Sequence, residues 1–313
     1  MQIIKKTKKI KSGILTLGNF DGVHLGHQEI LKKVKTRAEL LGCPSIVYTF
    51  EPHPIKVVAP HKHLPLITTL DDKIELIKEF GIDFLFCARF TKEFASQHPR
   101  EFVKNELIER LNVQEVWVGH DYAFGRSKLG TVDYLKELGE EFGFKAHVVP
   151  AFKKLGIIVS SSRIRETILN GDVKKAKSLL GRFYSISGRV IKGKNRGKQM
   201  GFPTANIDTQ NELIPKNGVY AVFCEVNPVR KLFSNEVKGL QYPAVVNIGT
   251  NPTFENGDNI NIEVHIMDFN RSLYGKRLKI HFVQRIRDEI KFKTVDELVK
   301  QIKRDVKKAN SII

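Results

Sequence analysis

Two histidines three residues apart, His24 and His27, close the run Gly18-Asn19-Phe20-Asp21-Gly22-Val23-His24-Leu25-Gly26-His27. The run leaves an apolar, strand-like segment and enters an amphipathic one. Glycines let backbone approach a ligand closely, and a helix N-terminus presents N–H groups with partial positive charge, so the arrangement suits a phosphate. Two imidazoles one turn apart add donors to the same anion. Taken alone, the pair equally fits a metal site or two capping histidines; the strand–glycine–helix context favours phosphate. Far along the chain stands Ser160-Ser161-Ser162-Arg163-Ile164-Arg165. Its hydroxyls, amides and guanidinium groups suit a triphosphate, or else form an ordinary N-cap followed by solvated arginines.

A third stretch runs from Gly188 to Asn206 and includes Gly193, Lys198, Gly201, Pro203 and Thr204. Glycines recur with cations between them, the composition of a backbone nest for phosphate. It is not a Walker A loop, because no Gly-Lys-Ser/Thr follows. A flexible basic linker is the bland alternative. Against it stands the abrupt end in Gly-Phe-Pro-Thr-Ala-Asn, which ties apolar residues to fixed hydroxyl and amide groups.

The elements that must position these groups fall into two textures. Apolar runs at Ile14–Leu17, Ser45–Phe50, Phe84–Phe90, Val116–Gly119 and His147–Val149 read as buried parallel strands. Between the first two, a helix is expected from about His27 to Leu41, with Ile30, Leu31, Val34, Ala38 and Leu41 on its apolar face and Gly42 as its stop. Further helices are expected over Asp71–Phe80 and, behind a proline, over Pro99–Leu111. This is a doubly wound, Rossmann-like α/β pattern. After Ser187, short β-rich runs at Gly218–Val226, Tyr242–Ile248, Ile260–Ile266 and Arg277–Val283 alternate with turn residues. They predict a small antiparallel β-barrel. A C-terminal helix follows, with Thr294 and Glu297 as a capping box and Val295, Leu298, Ile302 and Val306 as its stripe. The segment Arg163–Leu180 reads as helical and bridges the two parts. The expected domains are 1–184 and 185–313, and Asn227–Gly239 reads as an exposed hairpin loop.

Composition limits the classes of function. At 313 residues, two cores are expected. No apolar run approaches the ~20 residues of a membrane helix, and Met1–Lys11 is too lysine-rich for a signal peptide, so no membrane role and a cytoplasmic location are expected. Cys43, Cys87 and Cys224 form no CxxC pair and read as buried free thiols, neither zinc ligands nor a disulfide framework. The net charge of +18 invites a nucleic-acid reading, but residues 1–184 and 185–313 each carry +9. No single element holds the excess, no stacking-aromatic RNA motif accompanies it, and no nucleic-acid partner is expected. Part of the charge belongs beside anionic ligands.

Together the first two motifs resemble the nucleotidylyltransferase superfamily, through its HxGH signature (His24, Gly26, His27) and its serine-rich signature ending in arginine (Arg165). Ser162 stands where threonine is usual and keeps the hydroxyl; Val159 replaces isoleucine. More of the first part resembles the adenylyltransferase half of bacterial bifunctional riboflavin kinase/FAD synthetases: Thr16 to Gln28, Thr49-Phe50-Glu51-Pro52-His53-Pro54, and Gly119 to Gly125, with Tyr122 where phenylalanine is usual. The Gly188–Asn206 stretch is similar to the riboflavin kinase glycine loop with its PTAN signature. The likeness continues through Gly218-Val219-Tyr220-Ala221, Asn247-Ile248-Gly249, Pro252-Thr253-Phe254, Glu263-Val264-His265, Leu273-Tyr274-Gly275-Lys276 and Ile286-Arg287-Asp288-Glu289.

The resemblance implies ATP-dependent phosphorylation of riboflavin to FMN, then transfer of AMP from ATP to FMN, giving FAD and pyrophosphate. It implies ATP as co-substrate, Mg2+ as cofactor, and riboflavin, FMN and FAD as ligands. It assigns His24 and His27 to adenylyl transfer, with Gly18, Asn19, Asp21, Gly26, Asp121, Ser161, Ser162 and Arg165 binding substrate. In the kinase part it assigns Thr204 and Asn206 to the metal and ATP phosphates, and Glu263 as general base. Gly193, Lys198, Gly201, Pro203 and Arg287 would complete the ATP and flavin pockets. On the residues alone, Glu263 could equally be a surface strand residue. The single-activity alternative needs one site degenerate, yet both signature sets are intact. Oligomeric state is not legible.

Overall fold

The apolar runs of the first part become a stack of parallel strands because the central ones are buried on both faces and parallel neighbours can be joined only by crossovers. The computed structural model describes residues 1–4, 12–193, 197, 200–227, 241–251 and 259–313. Strands β1 (Gln2–Ile4), β2 (Gly13–Leu17), β3 (Ser45–Glu51), β4 (Phe84–Arg89), β5 (Val113–Gly119) and β6 (Lys145–Val149) form one parallel sheet in the order β1-β4-β3-β2-β5-β6. Five match the expected runs. The edge strand β1 does not, because three residues carry no readable period. Chain order reverses between β2 and β5, so the crevice at their carboxyl ends is the place where such sheets bind ligands.

Helices α1 (Leu25–Leu40), α2 (Pro54–Val58), α3 (Leu70–Lys78), α4 (Lys92–Ala95), α5 (Pro99–Phe102) and α6 (Val132–Phe142) connect and cover this sheet. The helix α1 starts two residues earlier than expected, with His24 as its cap. The expected Pro99–Leu111 helix is α only in its first turn; Val103–Arg110 winds as a π-helix, with i→i+5 bonding. One face of the sheet is lined by aromatic residues, with Tyr48, Phe50, Phe86, Phe102 and Phe124 in one cluster. A short hairpin, β7 (Lys153–Lys154) and β8 (Ile157–Ile158), precedes helix α7 (Ser161–Leu169).

The chain folds into two compact units, Met1–Ser161 and Ser162–Ile313. Within the second, helix α8 (Val173–Leu180) lies against barrel strands β14 (Arg277–Arg287) and β9 (Tyr184–Ile191). Its buried face is Val173, Ala176, Leu179 and Leu180. Periodicity identified this apolar face but not its partner. The barrel closes in the order β10-β13-β12-β11-β14-β9, with β10 at Ala205–Thr209, β11 at Gly218–Val226, β12 at Gln241–Asn251 and β13 at Asn259–Ile266. The strands β9 and β10 occupy the glycine-rich stretch and the Thr-Ala-Asn segment, which hid them from a hydrophobicity reading. The expected loop at 227–239 falls, apart from Asn227, outside the described residues, as do Lys198 and Pro252-Thr253-Phe254.

The terminal helix α9 (Val295–Ile312) packs on the outer barrel face through Val306, Ala309, Ile312 and Ile313. Thr294 caps it by accepting from the Glu297 N–H, but the Glu297 carboxylate accepts from Lys293, so the expected box is not closed. Val295 is 62% exposed and lies off the buried stripe, contrary to expectation; Asp305 takes a buried place on it. Of the three free cysteines only Cys224 is fully buried, whereas Cys43 and Cys87 are half-buried.

Candidate active sites

The loop after β2 is built by backbone strain and fixed contacts. Gly22 has φ +83°, and Phe20 and Val23 also take positive φ, at 51° and 37°. Such conformations persist only where the surroundings hold them. Here the buried Asp21 carboxylate accepts from the Ile67 N–H at 3.0 Å and the Thr68 N–H at 3.1 Å, while Thr68 Oγ1 accepts from the Gly22 N–H. The Ser161 hydroxyl donates to the Asp21 carbonyl at 2.9 Å. Asp21 therefore staples the loop; its carboxylate is committed to backbone donors. Asn19 is exposed, and only its carbonyl is engaged from below.

His24 is buried and its Nδ1 accepts from the His27 N–H at 3.3 Å. The two imidazoles stack with centroids 3.6 Å apart, and Phe20 meets His27 edge-on at 5.2 Å. The glycine between them has a steric reason. A Cβ on Gly26 would sit 3.2 Å from His24 Cε1 and 3.3 Å from Nδ1, pressing on the stacked ring. With Nδ1 accepting, the neutral His24 ring carries its proton on Nε2. The capping reading is met, and the cap orients the ring. Asp121, beyond the end of β5, is largely exposed, and Tyr122 stacks on Phe124. Ser161 opens α7, exposed Ser162 follows, and Arg165, buried, stands one turn after Ser161.

In the barrel, alternation puts Ile262, Val264 and Ile266 inside and Asn261, Glu263 and His265 on the outer face. Register aligns Asn206 of β10 with Glu263 of β13, and Glu263 with Asn247 of β12. Directly opposed residues share a face, so the three form one polar row across neighbouring strands. Glu263 is half-buried, and its Oε1 accepts from Asn261 Nδ2 at 2.8 Å. His265 Nδ1 lies 2.9 Å from the Pro203 carbonyl, which anchors the segment leading into Thr204. A Cβ on Gly193 would lie 2.0 Å from Asn206 Nδ2, and one on Gly197 3.0 Å from Thr204 Oγ1. Only glycine allows this approach, so the Gly193 and Gly197 backbone lies over both side chains. Gly201, at φ +80°, makes its turn.

Arg287 is placed elsewhere. Its guanidinium grips buried Asp305 of α9, at 2.7 Å from Nη2 and 3.1 Å from Nε, and it caps the Asp288 carbonyl. Sequence reading missed the supporting residues Thr68, Thr49, Lys73 and Asp305. A charged residue on an otherwise apolar helix face was the available signal for Lys73 and Asp305.

The chain is therefore a two-part enzyme with a nucleotide-handling α/β part and a barrel part. Residues 6–163 match the FAD synthetase family and residues 180–313 the riboflavin kinase family. It is 36% identical over 295 residues to the bifunctional riboflavin kinase/FMN adenylyltransferase of Escherichia coli (strain K12), covering 93% of this chain and 90% of that one. It is 40% identical over 310 residues to the enzyme of the same name from Bacillus subtilis (strain 168), covering 97% and 93%. It is also similar to a Streptococcus pneumoniae crystal structure described as a macrolide-efflux protein, with TM-score 0.88 and 32% identity over 99% of this chain and 98% of that one. The chain belongs to the bifunctional riboflavin kinase/FMN adenylyltransferase family. Among the described residues no helix is long and apolar enough to cross a membrane.

Proposed function

We propose that this chain converts riboflavin to FMN and FMN to FAD in the cytoplasm, using two separate sites. Residues 1–184 carry the adenylyltransferase motifs and residues 185–313 the kinase motifs. The observation that carries the kinase assignment is the polar row Asn206–Glu263–Asn247 beside the Gly193 and Gly197 backbone.

In phosphorylation, Glu263 accepts the proton of the ribityl hydroxyl as that oxygen attacks the γ-phosphorus of ATP. The bond from the γ-phosphorus to the bridging oxygen breaks, and ADP leaves with its electron pair. Asn261, by donating to Glu263 Oε1, holds the carboxylate in place. The donors here are hydroxyl, amide and carboxylate oxygens, the hard ligands that Mg2+ takes. Thr204 Oγ1 and Asn206 Oδ1 would hold the ion, which supplies charge neutralisation on the ATP phosphates.

In adenylyl transfer, an FMN phosphate oxygen attacks the α-phosphorus of ATP and pyrophosphate departs. The attacking group is already an anion, so no strong base is required. Catalysis rests on positioning and charge stabilisation. The Nε2–H of His24, the His27 ring and the Leu25 and Gly26 amides at the start of α1 would face the phosphates, with Ser161 beside them. Asn19 and Asp121, both exposed at carboxyl ends of strands flanking the switch point, would line the pocket. Incubating the pure protein with riboflavin, ATP and Mg2+ tests the reading: chromatography should show FMN first and FAD after it. Accumulation of neither, or of FMN alone even when FMN is supplied, overturns it.

A further inference from the structure

Beneath the phosphate loop lies a buried lysine that neither signature contains. Lys73 stands in the first turn of α3, behind its cap Thr69, and is only 6% exposed. With Ile77, one turn further on, it forms the buried face of that helix. Its Nζ donates to the Asn19 carbonyl at 3.2 Å and to Thr49 Oγ1 at 3.3 Å. The Thr49 hydroxyl in turn donates to the same carbonyl at 3.3 Å. The three groups close a triangle under the first residue of the loop after Gly18.

Burying an ammonium is costly, and an aliphatic side chain would fit the apolar pattern of α3 without that cost. The titratable groups acting on Lys73 are the Cys87 thiol on β4, Glu51 at the end of β3 and Asp21 on the loop, all favouring its charged form. Burial is the larger influence and lowers its pKa. A carbonyl aimed at an incoming triphosphate would repel it. A carbonyl held from below by two donors is turned away, which leaves the N–H groups of the loop for the anion. A positive charge under the loop also adds to the field that gathers phosphates.

We propose that Lys73 is a positioning residue for adenylyl transfer: it fastens the Asn19 carbonyl to the sheet and supplies positive charge beneath the phosphate loop. This rests on the reading of residues 18–27 as the nucleotide site. Lys73→Met keeps length and removes the charge, while Thr49 still serves the carbonyl. FAD formation from FMN should fall roughly 10- to 100-fold in kcat, less than for a donor touching the phosphate itself. KM for FMN and riboflavin phosphorylation should stay at wild-type values.

The pH profile separates positioning charge from mere packing. The lysine is charged below its lowered pKa and loses that charge as pH rises through it. The wild-type advantage over Lys73→Met should therefore shrink as pH is raised from neutral toward the ordinary lysine range. If Lys73→Met does not fold, Lys73→Gln, which keeps a donor for Asn19 without the charge, carries the same measurement. A variant equal to wild type at pH 7, or slower by one constant factor at every pH, overturns the proposal. His27→Ala distinguishes the two levels of failure. If it spares FAD formation, the loop reading is wrong; if it abolishes FAD formation while Lys73→Met does not, only the lysine proposal falls.

Discussion

The two loops proposed to hold phosphate are held in opposite ways. The loop after β2 is stapled from below and behind by Asp21, Thr68, Lys73, Thr49 and Ser161, all drawn from within the first unit. In the barrel site, among the described residues, the backbone of Gly193 and Gly197 lies close over Asn206 and Thr204. The difference matches the chemistry proposed for each. Adenylyl transfer to an FMN phosphate asks for no base, so the investment is in a rigid anion cradle. Phosphorylation of a hydroxyl asks for a base, and the barrel supplies a carboxylate in a row of outward polar groups, half-buried beside strands that fix its register.

The largest effect tests where the second body begins. Helix α8 buries Val173, Leu179 and Leu180 within the unit that holds the barrel, and at about 1.5–3 kcal/mol each their loss costs at most roughly 5 to 9 kcal/mol. A fragment of residues 162–313 should therefore melt cooperatively at a clearly higher temperature than one of 185–313. Equal melting temperatures would mean that α8 contributes nothing to the barrel and would favour independent folding of 185–313. Next comes Glu263→Gln, which keeps shape and removes the basic carboxylate. FMN formation should drop ~100- to 10,000-fold while FAD formation from supplied FMN survives. Kinase turnover near wild type would make the polar row an ordinary strand surface.

Much of this was legible beforehand because buried parallel strands write themselves as apolar runs. The strands β2 to β6 are the example. What escaped has a physical reason in each case. The strands β9 and β10 are short on apolar residues, with polar side chains and Gly188 between the few aliphatic ones, so no apolar run marks them. Asp21 has a structural part that leaves no mark in sequence, since its carboxylate accepts from two backbone N–H groups. Val295 looked like core because periodicity cannot say where along a helix contact with the barrel begins; the buried positions start further in, toward Asp305 and Ala309. The engagement of Arg287 with Asp305 could not be read either, because it depends on a helix residue 18 positions away in sequence. The helix pair α7 and α8 was recognised as helical but not as part of the second body, since an apolar stripe does not name its partner.

The smallest of the three effects sharpens the comparison at the first site. His27 is half-buried, stacked on His24 and edged by Phe20, and its own backbone N–H is the donor that His24 Nδ1 accepts. His27→Ala keeps that N–H, so the cap, the Gly26 contact and the α1 start should remain. What it removes is the ring that would face the phosphates and the stacking surface that holds His24. Loss of one preorganised donor typically costs ~100- to 1,000-fold in turnover. FAD formation should fall by that factor, while riboflavin phosphorylation, whose motifs all lie after Ser187, should not change. The measurement is FAD and FMN production by the same folded variant, with its melting temperature as control. Equal damage to both activities at an unchanged melting temperature would show that the two loops do not serve separate reactions.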